Sequence, residues 1–311
     1  MKRGKIMSMD LMIKKIIDMN SPVVAGLDPK LDYVPDFLVK ECFDKYGANA
    51  AGAAEALLRF NIALIDELCE VVPAVKVQAA YYEMYGIEGM GALYKTVSYA
   101  KSRGMYVILD GKRGDIGSTA EAYSSGWLGK TTIGTSDYAM SEADCLTVNP
   151  YLGSDGIIPF VNDCKKYDKG IFALVKTSNP SSGELQDLKV GDKAVYEMTA
   201  QLVDKWGADN IGEYGYSAVG AVVGATYPAQ AKSLREKMKH TYFLVPGYGA
   251  QGAGADDVAV SFDKDGLGAI VNSSRAIMCA YKKSGSDKEF AKAAKDEAYN
   301  MTKAINAAIG R

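Results

Sequence analysis

Apolar residues in this chain gather into short runs separated by longer amphipathic stretches. Eight runs stand out: 22–28 (PVVAGLD), 74–78 (AVKVQ), 105–110 (MYVILD), 145–149 (CLTVN), 171–177 (IFALVKT), 218–224 (AVGAVVG), 242–247 (YFLVPG) and 268–274 (GAIVNSS). They are nearly continuous rather than alternating, the pattern of parallel strands covered on both faces. Between them the apolar spacing becomes helical, as in AAGAAEALLRFNIALIDELCEVV, GALYKTVSYAKSRG and DKAVYEMTAQLVDKWG, and KEFAKAAKDEAYNMTKAINAAIG closes the chain. Strand–helix alternation repeated eight times predicts a (β/α)8 TIM barrel occupying 1–311 as a single α/β domain, with an amphipathic N-terminal helix over 1–20. A doubly wound open sheet is the competing layout, but LDPKLDYVP follows the first strand where a GxGxxG turn would stand.

A barrel puts the ends of all its strands on one rim, which collects Asp28, Lys76, Asp110, Asn149, Lys176, Gly224, Pro246 and Ser274. Polar groups ending apolar strands are poorly explained by packing, so this rim is the candidate site.

Composition narrows the chemistry available there. The chain has a single histidine, His240, in 311 residues, which excludes a histidine-rich zinc site and any catalytic design with two histidines. His240 ends the run LREKMKH, which reads as an exposed helix end. Lys plus Arg number 36 and Asp plus Glu 38, a net charge of −2 without the basic excess of a nucleic-acid binder. No run approaches the roughly 18 uninterrupted apolar residues of a membrane span, and the N-terminus lacks the apolar core and cleavage site of a secretory signal. Five scattered cysteines without a CxxC read as reduced thiols in a cytoplasmic protein. The chemistry is therefore expected from carboxylates, lysines, arginines, hydroxyls and backbone.

The densest polar motif is LDGKRGDIGSTAEAY (109–123), with Asp110, Lys112 and Asp115 in D-x-K-x-x-D spacing. Pleat alternation puts Asp110 and Lys112 on one side of the strand end. Asp115 precedes a helix start with Ser118, Thr119 and Glu121 in its first turn. Such spacing alone also fits a surface ion network of little energetic weight. Lys76 changes the balance: flanked by apolar residues in AVKVQ, it needs a carboxylate partner, and Asp110 ends the adjacent strand. Lys76, Asp110, Lys112 and Asp115 then form an alternating chain of charges.

With these motifs stand, in order, TVNPYLGSDG from Thr147, LVKTSNPSSGELQ from Leu174, VVGATYP from Val222, VPGYGAQGA from Val245 and NSSRAI from Asn272. The set resembles the orotidine 5′-phosphate decarboxylase family, in particular its longer bacterial branch. The resemblance implies a barrel that dimerises and converts orotidine 5′-monophosphate to UMP and CO2, the last step of de novo pyrimidine nucleotide synthesis, without metal or organic cofactor. Lys112 is then the acid that delivers a proton to C6, and Asp110 sits beside the departing carboxylate and holds Lys112. Lys76 pairs with Asp110 and touches the ribose, where Asp28 binds a hydroxyl. Asp115 and Thr119 reach across the dimer into the neighbour's site. Gln251 and Arg275 bind the phosphate, Gly249 and Ser274 offer backbone N–H groups, and Asn149 and Ser178 contact the pyrimidine. The partners implied are the nucleotide and a second copy of the chain, with neither nucleic acid nor membrane.

The glycine-rich stretch 246–257 reads as a plain flexible loop or as a lid closing over phosphate through Gln251, with Arg275 as a bidentate contact. The tyrosines of YYEMY (81–85) read as packing or dimer surface, and 178–192 as a long polar loop. Three other functions share these features: a magnesium-dependent sugar-phosphate decarboxylase or synthase built on D-x-K-x-x-D, a Schiff-base aldolase using Lys176, and a catalytically silent phosphate-binding barrel. The continuation KRGDIGSTA favours the nucleotide enzyme. A barrel filling about 20–310 is expected to act alone, without a fused phosphoribosyltransferase.

Overall fold

The computed structural model describes residues 7–249 and 252–311. Its centre is a closed parallel barrel whose strands neighbour one another in chain order: β1 (Val23–Leu27), β2 (Ala74–Gln78), β3 (Tyr106–Arg113), β4 (Cys145–Val148), β5 (Gly170–Lys176), β6 (Val219–Val223), β7 (Phe243–Pro246) and β8 (Ala269–Ser273), which pairs back onto β1. Each apolar run becomes a strand to within a few residues at its ends. β3 is the exception in length, continuing past Asp110 to Arg113.

Helices cover the outside. The helix Ala50–Leu68 starts at Asn49, whose side chain accepts the N–H groups of Ala51 and Gly52. Its buried stripe includes Leu57, Phe60, Leu64 and Leu68, and Phe60 lies 5.2 Å from the ring of Phe290 on the closing helix Phe290–Ala308.

A separate apolar cluster fills the lumen, with Val24, Ile108, Phe172, Tyr242, Leu244 and Ile270 among its members. Gly220 makes room for it: a Cβ there would fall 2.5 Å from the Phe172 ring. The helix Ser8–Met19 seals the N-terminal end of the barrel, and the remainder of the expected 1–20 helix is partly outside the described residues. Met9, Met12, Ile13 and Ile16, spaced for one helical face, are fully buried in the lumen cluster. Each such side chain contributes roughly 1.5–3 kcal/mol by leaving water. Asp10 fixes the plug by accepting the N–H groups of Glu213 and Tyr214 at 3.1 and 3.2 Å. With that end plugged, the carboxyl ends of the strands form the accessible rim.

Two small hairpins, Thr131–Ile133 with Ser136–Tyr138 and Lys189–Val190 with Lys193–Ala194, decorate the connections. Among the described residues no helix is long and apolar enough to cross a membrane.

Candidate active site

A cavity of about 700 Å³ opens at the carboxyl ends of the strands. Its floor divides chemically. Lys76, Asp110, Thr147 and Asn272, from β2, β3, β4 and β8, make a polar side, while Leu174, Val222 and Leu244, from β5 to β7, make an apolar one. Such a floor suits a flat ring with one polar edge.

The polar side is a charge relay. The Lys76 ammonium lies 2.9 Å from Asp28 Oδ1 and 3.0 Å from Asp110 Oδ2, and the Lys112 ammonium lies 2.7 Å from Asp110 Oδ1. Gln78 Nε2 donates to Asp110 Oδ2 at 3.0 Å and the Thr147 hydroxyl to Asp110 Oδ1 at 2.7 Å. The Asp110 carboxylate thus binds two ammonium groups and two neutral donors, the kind of compensation a buried charge requires. Burial draws the Lys76 ammonium toward neutrality, but Asp28 and Asp110 more than offset it and raise its pKa. Burial also pushes the Asp110 carboxyl up, and Lys76 and Lys112 overcome this and hold it well below the usual carboxylate range. Lys76 and Asp110 are buried, whereas the Lys112 side chain is 46% exposed, so the relay ends in an ammonium that reaches open cavity.

Lys112 gets there by a route that regular pleating does not give. The β3–β4 register shifts between Leu109 and Arg113, and Lys112 has φ = +45°. A left-handed non-glycine residue costs roughly 1–2 kcal/mol and persists where its surroundings hold it. Here the Lys112 N–H donates to Thr147 Oγ1 at 2.9 Å. Arg113, next along, pairs with Glu83 and stacks 5.2 Å over the Trp127 ring. Asp110 and Lys112 do meet on one side, as expected, but through a bulge rather than through alternation.

Asp28, Ser178, Ser274 and Arg275 all line the cavity. Asn149 does not. Its Oδ1 accepts the Tyr151 N–H at 3.0 Å and opens the turn Pro150–Leu152, so this acceptor serves the local turn and the side chain lies outside the cavity where a pyrimidine contact is expected. The Gly249 N–H is likewise taken, by the Ala253 carbonyl at 2.9 Å. Gln251 lies outside the described residues. Asp115 is half-buried with Oδ1 accepting the Ile116 N–H, Thr119 is exposed on the helix Gly117–Trp127, and neither lines the cavity of its own chain.

Lys176 also leaves the rim group. It is fully buried outside the cavity, 2.8 and 3.0 Å from the two Asp187 oxygens, 3.1 Å from Ser182 Oγ and 4.4 Å from the centre of the Tyr227 ring. An aldolase that forms its Schiff base on Lys176 therefore has no structural footing. The YYEMY tyrosines divide: Tyr82 is buried and its hydroxyl accepts from Asn61 at 2.7 Å, while Tyr81 lines the cavity beside Tyr33, with the Lys30 ammonium 5.7 and 5.6 Å from the two ring centres. Thr147, Gln78, Asn272 and Gln186 also line the cavity, beyond the residues that the motifs single out. For Gln78 and Asn272 a signal exists, a strongly polar side chain inside an apolar strand run.

A plugged (β/α)8 barrel whose open rim carries a buried lysine–aspartate relay defines the class: a barrel protein with a charged cavity at the carboxyl ends of its strands. Within that class, the chain belongs to the orotidine 5′-phosphate decarboxylase / HUMPS family, whose model matches residues 22–290. It is 44% identical over 300 residues to the orotidine 5′-phosphate decarboxylase of Caldicellulosiruptor bescii, covering 96% of this chain and 98% of that one. The fold matches the crystal structure of a putative orotidine 5′-phosphate decarboxylase from Streptomyces avermitilis with a TM-score of 0.77, at 30% identity, over 99% of this chain and 97% of that one. It also matches UMP synthase of Leishmania donovani with a TM-score of 0.71 and 31% identity, covering 94% of this chain but 57% of that longer one.

Proposed function

We propose that this chain converts orotidine 5′-monophosphate to UMP and CO2 in the cytoplasm, as a homodimer, with Lys112 as the proton donor and no metal or organic cofactor. The observation that carries this reading is the Lys76–Asp110–Lys112 relay ending in a cavity-facing ammonium. Breaking the C6–carboxylate bond leaves an electron pair on C6 with little resonance help. An ammonium already fixed at that position stabilises the developing charge without reorganising, and enzymes remove up to about 23 kcal/mol from such barriers. Lys112 then gives its proton to C6, becomes a neutral amine, and regains a proton from solvent through its exposed side. Asp110 holds the ammonium and Lys76 keeps Asp110 charged. Arg275 and Ser274 take the phosphate end, Asp28 a ribose hydroxyl, and Ser178 the pyrimidine side, with Gln251 completing the phosphate contacts.

The dimer reading rests on the surface after β2, β3 and β4. Ile87 is 86% and Tyr151 77% exposed, and Met84, Ile116 and Leu152 add apolar area on the same three connections. Asp115 and Thr119 belong to this region and not to their own cavity, which supports their completing the neighbour's site under two-fold symmetry. The 1–311 chain then acts as one barrel domain with its N-terminal helix as the plug.

The deciding experiment follows orotidylate loss spectrophotometrically with purified protein and excess chelator. Turnover is expected to survive the chelator and to fall by about 10²–10⁴ in Lys112→Ala with nucleotide binding retained. Dependence on magnesium, or full activity in Lys112→Ala, would overturn the reading.

A further inference from the structure

Asn272, on β8, is 7% exposed and lines the cavity floor. Its carboxamide is half satisfied. Nδ2 donates to Ser274 Oγ at 3.3 Å, whereas Oδ1 is buried without a hydrogen-bond partner. Oδ1 packs toward Gly26 at the edge of the cavity that Asn272 lines, and an acceptor left unpaired there marks a place where a bound molecule supplies the donor once the carboxamide turns toward it.

The neighbouring strand leaves room for this group. Gly26 of β1 faces it, and a Cβ there would lie 1.9 Å from Ser274 Oγ and 3.0 Å from Asn272 Oδ1. Any side chain at Gly26 would displace both polar groups. Gly26, Asn272 and Ser274 therefore form a polar notch between the two ends of the cavity. Arg275 follows directly on one side, and Lys76, paired with Gly26 in the β1–β2 ladder, begins the charge relay on the other.

We propose that Asn272 binds a ribose hydroxyl of the nucleotide and sets specificity for the ribose, an inference that rests on the nucleotide reading above. The position between the phosphate end and the relay is the one a ribose must occupy. The chemistry agrees. A phosphate oxygen offers no proton to Oδ1, and an apolar group leaves it unpaired. A hydroxyl both donates and accepts, and so pairs with either arm of a carboxamide. The pyrimidine N–H is the other donor available, and a contact to it would weaken all three nucleotides of the test equally.

The test measures binding of UMP, 2′-deoxy-UMP and 3′-deoxy-UMP to the wild-type chain and to Asn272→Leu by titration calorimetry. Asn272→Ser serves as a second variant that adds no apolar bulk, and a melting curve reports folding of each. Asn272→Leu is expected to weaken UMP by about five- to tenfold and to leave the affinity for one of the two deoxy nucleotides unchanged, because the contact is already missing there. Equal loss on all three nucleotides, or no loss on any, overturns the assignment while the nucleotide reading stands. Failure of the wild-type chain to bind UMP at all overturns the nucleotide reading itself and this inference with it.

Discussion

Thr147 donates its hydroxyl to Asp110 Oδ1 at 2.7 Å while accepting the Lys112 N–H at 2.9 Å, so one β4 side chain ties the carboxylate to the backbone of the lysine it holds. That tie fixes the left-handed turn at Lys112. Thr147→Val keeps the shape of the side chain but leaves the Lys112 N–H unpaired and Asp110 one donor short, at a cost of about 1–3 kcal/mol. A drop in kcat of about 10- to 100-fold is expected, with KM little changed, and Thr147→Ser is expected to restore most of it. Equal activity of the valine and serine variants would show that Lys112 is held by other means.

The pH dependence follows from the two shifted groups. Asp110 is depressed, so its stabilising charge is present above the ordinary carboxylate value near 4 and is lost only as pH falls through its lower folded value. Lys76 is raised, so its contribution is complete below the ordinary lysine value near 10.4 and is lost only as pH rises through its higher folded value. Neither group titrates between about pH 5 and 9. An acid limb near pH 6 in kcat/KM is then expected only from the second ionisation of the substrate phosphate, which lies at about that value. His240, exposed and bonded to the Gly215 carbonyl at 2.8 Å, precedes β7 at the plugged end. His240→Gln should leave the kcat/KM profile unchanged, and a shift of its limb in that variant would contradict this.

How much of this was legible in the sequence depends on whether a residue's role was set locally. The eight strands were legible because burial on both faces demands continuous apolar runs, and the relay because a lysine inside AVKVQ needs a carboxylate on the next strand. The place of Asn149 outside the cavity is not legible, because position at a strand end does not reveal that the following Pro-Tyr turn engages the side chain. Thr147 is not legible because threonine is an ordinary strand residue, and its two bonds arise from a bulge on another strand. Lys176 shows the same limit. Regular alternation from Leu174 would turn it into the cavity, but the β5–β6 register shifts between Val222 and Val223, and Lys176 is left beside outward-packed Val223.

That outward turn makes Lys176 an anchor for the connection after β5. It grips Asp187 and Ser182, while Gln186 accepts the Thr177 N–H at 2.9 Å and donates to its hydroxyl at 2.7 Å, closing the segment that presents Ser178 to the cavity. Lys176→Met leaves Asp187 without its ammonium. Because Asp187 is 40% exposed, the cost is below that of a fully buried pair, about 1–3 kcal/mol. Faster hydrogen exchange across 177–190 and a several-fold higher KM are expected, with a smaller effect on kcat. Borohydride reduction in the presence of substrate should leave Lys176 unmodified; a trapped adduct would return it to the chemistry.

Asp115 and Thr119 provide the sharpest test of the assembly. If each completes the partner's site, a chain with Lys112→Ala and a chain with Asp115→Ala are both inactive as homodimers. Mixed and allowed to exchange subunits, they form a heterodimer in which one site carries both defects and the other carries neither. Random pairing at equal amounts makes half of the dimers mixed, with one native site of two, so about a quarter of wild-type activity should return. The recovered activity should appear at the rate of subunit exchange and fall when dilution separates the dimers. If Asp115 instead served its own chain, every site in the mixture would carry one lesion and no activity would return at any mixing ratio.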